Sequence, residues 1–271
     1  MMWKDQIEKE CKQVDGICGV VVKNIVDGQA FLFDAETIFP AASVIKLFIL
    51  WDLIARTEAQ ELAYDEVITL KEEQRVPGFG VLKELHNGLN LTLLDLAMLM
   101  IIISDNIATN MLIDRLGMSA INERITKLGA GSTLLQRKMM DEAAKKQGLD
   151  NLTCPLDVLL LLQRVATATG LHHDSSLRYV DILKRQQCNN KLPALLPSDA
   201  VIAHKTGDLP GTEHDAGILY TPCGPVVVVV MTKNLKDNRD GVRLNSSVGK
   251  LVFDHFSLTA DHYAVSSGFE T

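Results

Sequence analysis

The chain has 271 residues, of which 47% are hydrophobic, 23% charged and 5% aromatic, and its formal net charge is −7. That supplies the apolar mass of a full core, at the upper size of one domain or the lower size of two. The acidic balance, with no dense basic block, argues against a surface that neutralises nucleic-acid phosphates. No run approaches the ~18 uninterrupted apolar residues that cross a bilayer; the richest, residues 91–104, contains Asp95.

The first residues, Met1-Met2-Trp3-Lys4-Asp5-Gln6, lack the apolar region and cleavage site of a secretory signal. Read literally, this places the protein in the cytoplasm; export would require a signal already removed, and the compartment stays open. The five cysteines, 11, 18, 154, 188 and 223, are an odd number with no Cys-x-x-Cys pair, so reduced structural thiols are expected. His172 and His173 are adjacent and diverge, a poor chelating pair, and neither metal nor cofactor is expected.

In chain order, Ile7, Cys11 and Val14 recur at helical spacing with Gly16 as a stop, which predicts an amphipathic opening helix over 5–14. Residues 19–25 and 30–34, joined through Asp27-Gly28, read as a hairpin. From 43 to about 187 the pattern is helical. Thr92 stands at the N-cap of 93–103, Gly117 closes 107–116 and Gly129 closes 118–128, while Pro155 opens 156–169 and Asp174 is the cap expected for 177–187. Strand patterns return over 200–206, 215–220 and 226–231. Five consecutive valines in the last predict burial on both faces. A helix over 246–256 closes the chain, with no internal repeat or low-complexity linker. The order predicts an α+β fold: residues 1–42 and 189–271 form a sheet unit, residues 43–188 an inserted all-helical unit, and a cleft lies between them.

Three short motifs carry chemistry. Ser43-Val44-Ile45-Lys46 opens an apolar helix, so that Lys46, one turn on, shares a face with Ser43; an ammonium among apolar residues loses its proton readily and serves as a base. Ser104-Asp105-Asn106 interrupts two apolar helices, either as an N-cap for the second or as polar groups held at a site. Lys205-Thr206-Gly207 ends a strand, where a lysine, a hydroxyl and a residue without a side chain would let a carboxylate-bearing substrate lie along the edge. Each motif alone has a plain structural reading.

In this order, the three resemble the defining elements of the class A β-lactamase and penicillin-binding protein superfamily. The match extends over 39–47, 95–112, 189–207 and the closing helix, and Asn110 matches a family asparagine. The resemblance implies an antiparallel sheet flanked by N- and C-terminal helices with a helical lobe inserted between strands. It also implies roles: Ser43 is the acylated nucleophile, Lys46 takes its proton, and Ser104 returns one to the departing nitrogen under the influence of Lys205. Asn106 would hold the side-chain amide of the substrate, and Lys205, Thr206 and Gly207 its carboxylate. The backbone N–H groups of Ser43 and Asp208 would form the oxyanion hole.

Two departures accompany the match. Relatives that turn over efficiently carry a Glu-x-x-x-Asn on the loop before the helix that here opens at Pro155, and residues 135–151 contain none. Asp141 and Glu142 are the acids nearby, and Arg137 with Asp150 is the pair expected to close the loop. In place of the carboxylate-binding arginine of many relatives the next strand reads Glu213-His214-Asp215, which leaves Arg243 as a candidate substitute. Three readings follow. The first is a β-lactamase, expected as a monomer with slow deacylation. The second is a DD-peptidase acting on D-Ala-D-Ala peptides, and the third a β-lactam-binding or sensing protein without turnover.

Overall fold

A computed structural model describes residues 2–266; Met1 and residues 267–271 of the expected sheet unit lie outside the described residues. α1 (Trp3–Lys12) buries Trp3, Ile7 and Cys11 as one stripe. β1 (Ile17–Asn24) and β2 (Ala30–Phe33) form the hairpin, turning at Gly28 with φ +75°. β3 (Phe39–Pro40) then leads through a single 3-10 turn (Ala42–Val44) into α2 (Ile45–Glu58), which is buried from Ile45 through Ala55.

β4 (Val67–Thr69) pairs with β5 (Asn90–Thr92), and the loop between them folds back over the helices that follow. Those are α3 (Leu93–Ile102), α4 (Asn106–Leu116) and α5 (Met118–Leu128). Their ends are set by Thr92, which accepts from the Asp95 N–H, and by Gly117 and Gly129 at positive φ. The short α6 (Glu142–Lys146) and β6 (Leu152–Thr153), which pairs with β3, precede α7 (Pro155–Ala166) and α8 (His173–Lys184). Helix α8 starts earlier than the pattern predicts, with His172 at the N-cap and Asp174 inside the first turn.

β7 (Val201–Leu209), β8 (Thr212–Thr221) and β9 (Gly224–Lys233) complete a five-stranded antiparallel sheet in the order β2-β1-β9-β8-β7, and α9 (Asn238–Ser266) follows. β7 runs to Leu209, so Lys205-Thr206-Gly207 lies inside an edge strand and not at its end. β9 is central, which explains its valines. Val226, Val228 and Val230 pack with α1 and α9, while Val227, Val229 and Met231 join the core of the helical elements on the other face. Among the described residues, no helix is long and apolar enough to cross a membrane.

Candidate active site

The edge strand β7, the 3-10 turn before α2 and the break between α3 and α4 meet around one cleft of about 240 Å³. Ser43 lines it from the 3-10 turn. β7 lies so close to this turn that a Cβ on Gly207 would stand 3.2 Å from both the Ser43 amide nitrogen and Ala42 Cβ. A side chain at 207 would therefore require the strand or the turn to give by a few tenths of an ångström. Asp208, the next residue, also lines the cleft.

Lys46 is fully buried. Its Nζ lies 2.8 Å from the Ser104 carbonyl oxygen, 3.0 Å from Ser104 Oγ and 3.1 Å from Asn106 Oδ1. Burial, and then the Lys205 charge, push its pKa well below the ordinary lysine value. A neutral amine here donates to the two carbonyl-type oxygens and keeps its lone pair for a hydroxyl proton.

Ser104 adopts φ +57°, rare for a residue with a side chain. Its Oγ sits between two lysines, 3.0 Å from Lys46 Nζ and 3.1 Å from Lys205 Nζ. Asp105 caps α4: Oδ1 accepts from the Ile107 and Ala108 N–H groups, and Oδ2 from those of Val81 and Leu82. Asp105 therefore caps the helix, while Asn106 lines the cleft and Ser104 meets the two lysines. Asp105 also fixes the loop between β4 and β5, where a Cβ on Gly80 (φ +116°) would collide with its carboxylate at 2.2 Å. The Asn106 N–H donates to the Phe79 carbonyl at 3.0 Å, and this places Gly78 and Phe79 on the cleft wall. Sequence reasoning missed both, although Pro77-Gly78-Phe79-Gly80 is a turn signature.

Lys205 is fully buried and also donates to the Thr206 carbonyl at 2.8 Å. Burial pulls its pKa to about 8, against the nearby Asp208 and Asp215 carboxylates, which hold it up. It is mostly protonated at neutral pH. Thr206 Oγ1 is buried and makes no hydrogen bond to a described residue, an arrangement that costs free energy unless a ligand uses it.

Behind β7 a polar cluster joins the two sides of the cleft. Lys191, fully buried, donates to the Gly207 carbonyl at 3.0 Å, to the His214 carbonyl at 3.1 Å and to Asp208 Oδ1 at 2.7 Å, and pairs with Glu213 at 2.6 Å. Burial pushes the His214 pKa to about 4. The neutral ring donates from Nε2 to the Pro40 carbonyl at 2.8 Å and accepts the Thr232 N–H at Nδ1, 3.1 Å away. Asp215 binds His204 at 2.9 Å and the Leu192 N–H at 3.1 Å, so both residues of the His-Asp pair are structural in their contacts. Lys191 was not singled out from the sequence, since nothing local distinguishes a buried lysine from an exposed one.

The expectation for Arg243 is corrected. It projects from α9 towards α1 and donates to Glu10 at 3.0 Å, on the sheet face that packs Val226, Val228 and Val230. It is not among the residues that line the cleft.

The 136–151 loop is closed by the Arg137–Asp150 ion pair at 2.8 Å. Asn151 accepts the Gln136 and Arg137 N–H groups and donates back to the Arg137 carbonyl. Asn110 grips Met139 by both backbone groups, donating to its carbonyl at 3.1 Å and accepting its N–H at 2.8 Å. Met139 and Met140 line the cleft. Asp141 instead caps α6, accepting the Ala144 N–H at 2.9 Å, and Glu142 is exposed at the first residue of that helix; neither faces the cleft lining. The structure thus brings Ser43, Lys46, Ser104, Asn106, Lys205, Thr206, Gly207 and Asp208 together, holds Asn110 beneath the loop, and leaves Asp141, Glu142 and Arg243 outside.

The family model described as Beta-lactamase enzyme family matches residues 2–256. The carbapenem-hydrolyzing beta-lactamase KPC of Klebsiella oxytoca is 25% identical over 88% of this chain and 84% of its own length. A beta-lactamase of Streptomyces lavendulae is 29% identical over 86% and 78%. Among solved structures, a beta-lactamase from Sphaerobacter thermophilus superposes with a TM-score of 0.89 at 31% identity, covering 95% of this chain and 99% of that one. The structure of PBP-A superposes with a TM-score of 0.85, also at 31% identity, covering 94% and 95%. The extent of these matches and the shared architecture establish that the chain belongs to the beta-lactamase enzyme family.

Proposed function

We propose that this chain is an active-site serine hydrolase that opens β-lactam rings through an acyl-enzyme on Ser43 and releases the product slowly. The observation that carries the reading is the buried Lys46 amine, whose hydrogen-bond partners are all neutral oxygens, one turn after Ser43. In this reading Lys46 takes the Ser43 proton as the hydroxyl attacks the ring carbonyl. The N–H groups of Ser43 and Asp208 meet the developing oxyanion, each worth roughly 2.7–4 kcal/mol by comparison with other hydrolases. Ser104, poised between Lys46 and Lys205, hands a proton to the departing ring nitrogen. Lys205 and Thr206 hold the substrate carboxylate, and Asn106 the side-chain amide.

Slow release is inferred from the loop, where Met139 lines the cleft, Asp141 and Glu142 lie outside the lining, and Asp150, the loop acid that does line it, is held by Arg137 at 2.8 Å. The same feature supports the second reading, a DD-peptidase for which β-lactams are slow inhibitors. A similar protein, a mutant of PBP-A, has been solved as an acyl-enzyme complex with penicillin G. Intact-mass measurement after penicillin treatment tests the nucleophile: the expected adduct forms on the wild type and not on Ser43→Ala. With a chromogenic cephalosporin, a burst of about one equivalent and a slow phase are expected. An equal adduct on Ser43→Ala overturns the assignment, and fast turnover without a burst overturns slow release.

A further inference from the structure

The turn between α1 and β1 brings two thiols together. Cys11 lies in the last turn of α1, and Cys18 is the second residue of β1. The chain reverses tightly between them: the Cys11 carbonyl accepts the Val14 N–H at 3.3 Å, and the Gly16 N–H donates to the Val14 carbonyl at 3.1 Å. The Cys18 thiol donates to that same Cys11 carbonyl at 3.5 Å, and the two thiols hydrogen-bond each other. Both residues are 4% exposed and pack in one cluster with Trp3, Ile7, Val20 and Val248, none of which lines the cleft. The contact divides the pair. It raises the Cys11 thiol above its ordinary pKa, with burial adding to the effect. It holds the Cys18 thiol below its ordinary value, although burial works the other way. One sulfur therefore loses its proton first, and its neighbour follows.

We propose that Cys11 and Cys18 form a redox modification site, at which a small disulfide such as oxidised glutathione drives a link that fastens α1 to β1. Both thiols are free in the structure. Cys18, as the thiolate, attacks one sulfur of the oxidant; the half released takes up a proton, and a mixed disulfide is left on Cys18. Cys11 then gives up its proton and attacks Cys18 Sγ, and the second half of the oxidant leaves as a thiol. Two protein thiols become one disulfide while one small disulfide becomes two thiols, so electrons and protons balance. The link closes the short 11–18 loop and ties the opening helix to a strand of the sheet. Closing a loop of this size is expected to raise the Tm by roughly 5 °C.

The test incubates the reduced, full-length protein with oxidised glutathione over hours, because thiols packed under α1 exchange only when that helix lifts locally. Free thiols are then alkylated in denaturant and counted by intact mass, and the link is located by peptide mapping. The wild type should lose two of its five alkylatable thiols, with the map joining 11 to 18. Cys18→Ser should form no internal link. The map of the wild type needs no variant and decides the matter if Cys18→Ser folds poorly. Thermal unfolding should show the higher Tm in the linked protein, and dithiothreitol should return it to the starting value. Five thiols still free, a link joining other cysteines, or glutathione retained on Cys11 or Cys18 without closure overturns the inference. A Tm unchanged with the link in place overturns the fastening of α1.

Discussion

Protonating His214 is expected to destabilise the fold, because it turns Nδ1 from the acceptor of the Thr232 N–H into a second donor facing it, while the Nε2 bond to the Pro40 carbonyl is kept. The ring is fully buried beside Phe39 and the Lys191 cluster, and its pKa falls from 6.5 to about 4. Burial is the largest cause, the Lys191 charge adds to it, and the bond to the Pro40 carbonyl opposes it. The folded pKa is depressed, so the unfolded chain binds the proton first as pH falls. The stability this neutral ring contributes is complete above pH 6.5 and is lost progressively down to about pH 4. At 1.36 kcal/mol per pKa unit the loss amounts to about 3 kcal/mol, a large share of a typical total of roughly 5–15 kcal/mol. Urea unfolding at several pH values between 7 and 4 measures it, with His214→Gln as the reference that subtracts the titrating carboxylates. The wild type should lose about 3 kcal/mol more than the variant. A His214 proton resonance that titrates near its ordinary value in the folded protein, or parallel losses in the two proteins, refutes the reasoning.

Two further outcomes concern the reaction. Lys46→Ala should slow acylation by roughly 10²–10⁴-fold, the contribution of a general base, and far more than Lys205→Arg, which keeps a cation near the substrate carboxylate; stopped-flow acylation compares them, and equal losses remove Lys46 from its role. Met139→Glu places a carboxylate on backbone already gripped by Asn110, and should speed the slow phase after the burst by about 10²-fold or more, whereas Asp141→Ala and Glu142→Ala leave it nearly unchanged.

The parts legible in the sequence were those written in local chemistry. Thr92, Gly117, Gly129 and Pro155 mark helix ends because caps and positive φ are local demands, and they stand at helix ends in the structure. The valine run announced a strand buried on both faces for the same reason. What the sequence hid depends on partners far away along the chain. Lys191 is functional in appearance only once Asp208, Glu213 and His214 surround it. Arg243 is available by its charge alone and is taken by Glu10, which stands opposite it on α1. The continuation of β7 beyond Gly207 comes from its pairing with β8, where Asp208 faces Glu213 and Leu209 faces Thr212.

The strain at Ser104 and the bonding of Asp105 belong to one device. A non-glycine residue at φ +57° costs of order 1–3 kcal/mol, and such a backbone persists only where its surroundings over-determine it. Here the next residue supplies that constraint. The Asp105 carboxylate, 1% exposed, accepts four backbone N–H groups, two from α4 and two from the loop between β4 and β5. Charge-assisted bonds of this kind are worth roughly 1.5–3 kcal/mol each, enough together to offset the strained turn. The backbone is thereby fixed in the one conformation that aims the Ser104 hydroxyl between two buried lysine nitrogens, and the Ser104 carbonyl in turn accepts from Lys46 at 2.8 Å. The proton path proposed from Lys46 through Ser104 would therefore be set by a helix cap, and the order Ser-Asp-Asn fits it: a hydroxyl before the cap reaches the lysines, and an amide after it opens the helix at the cleft wall.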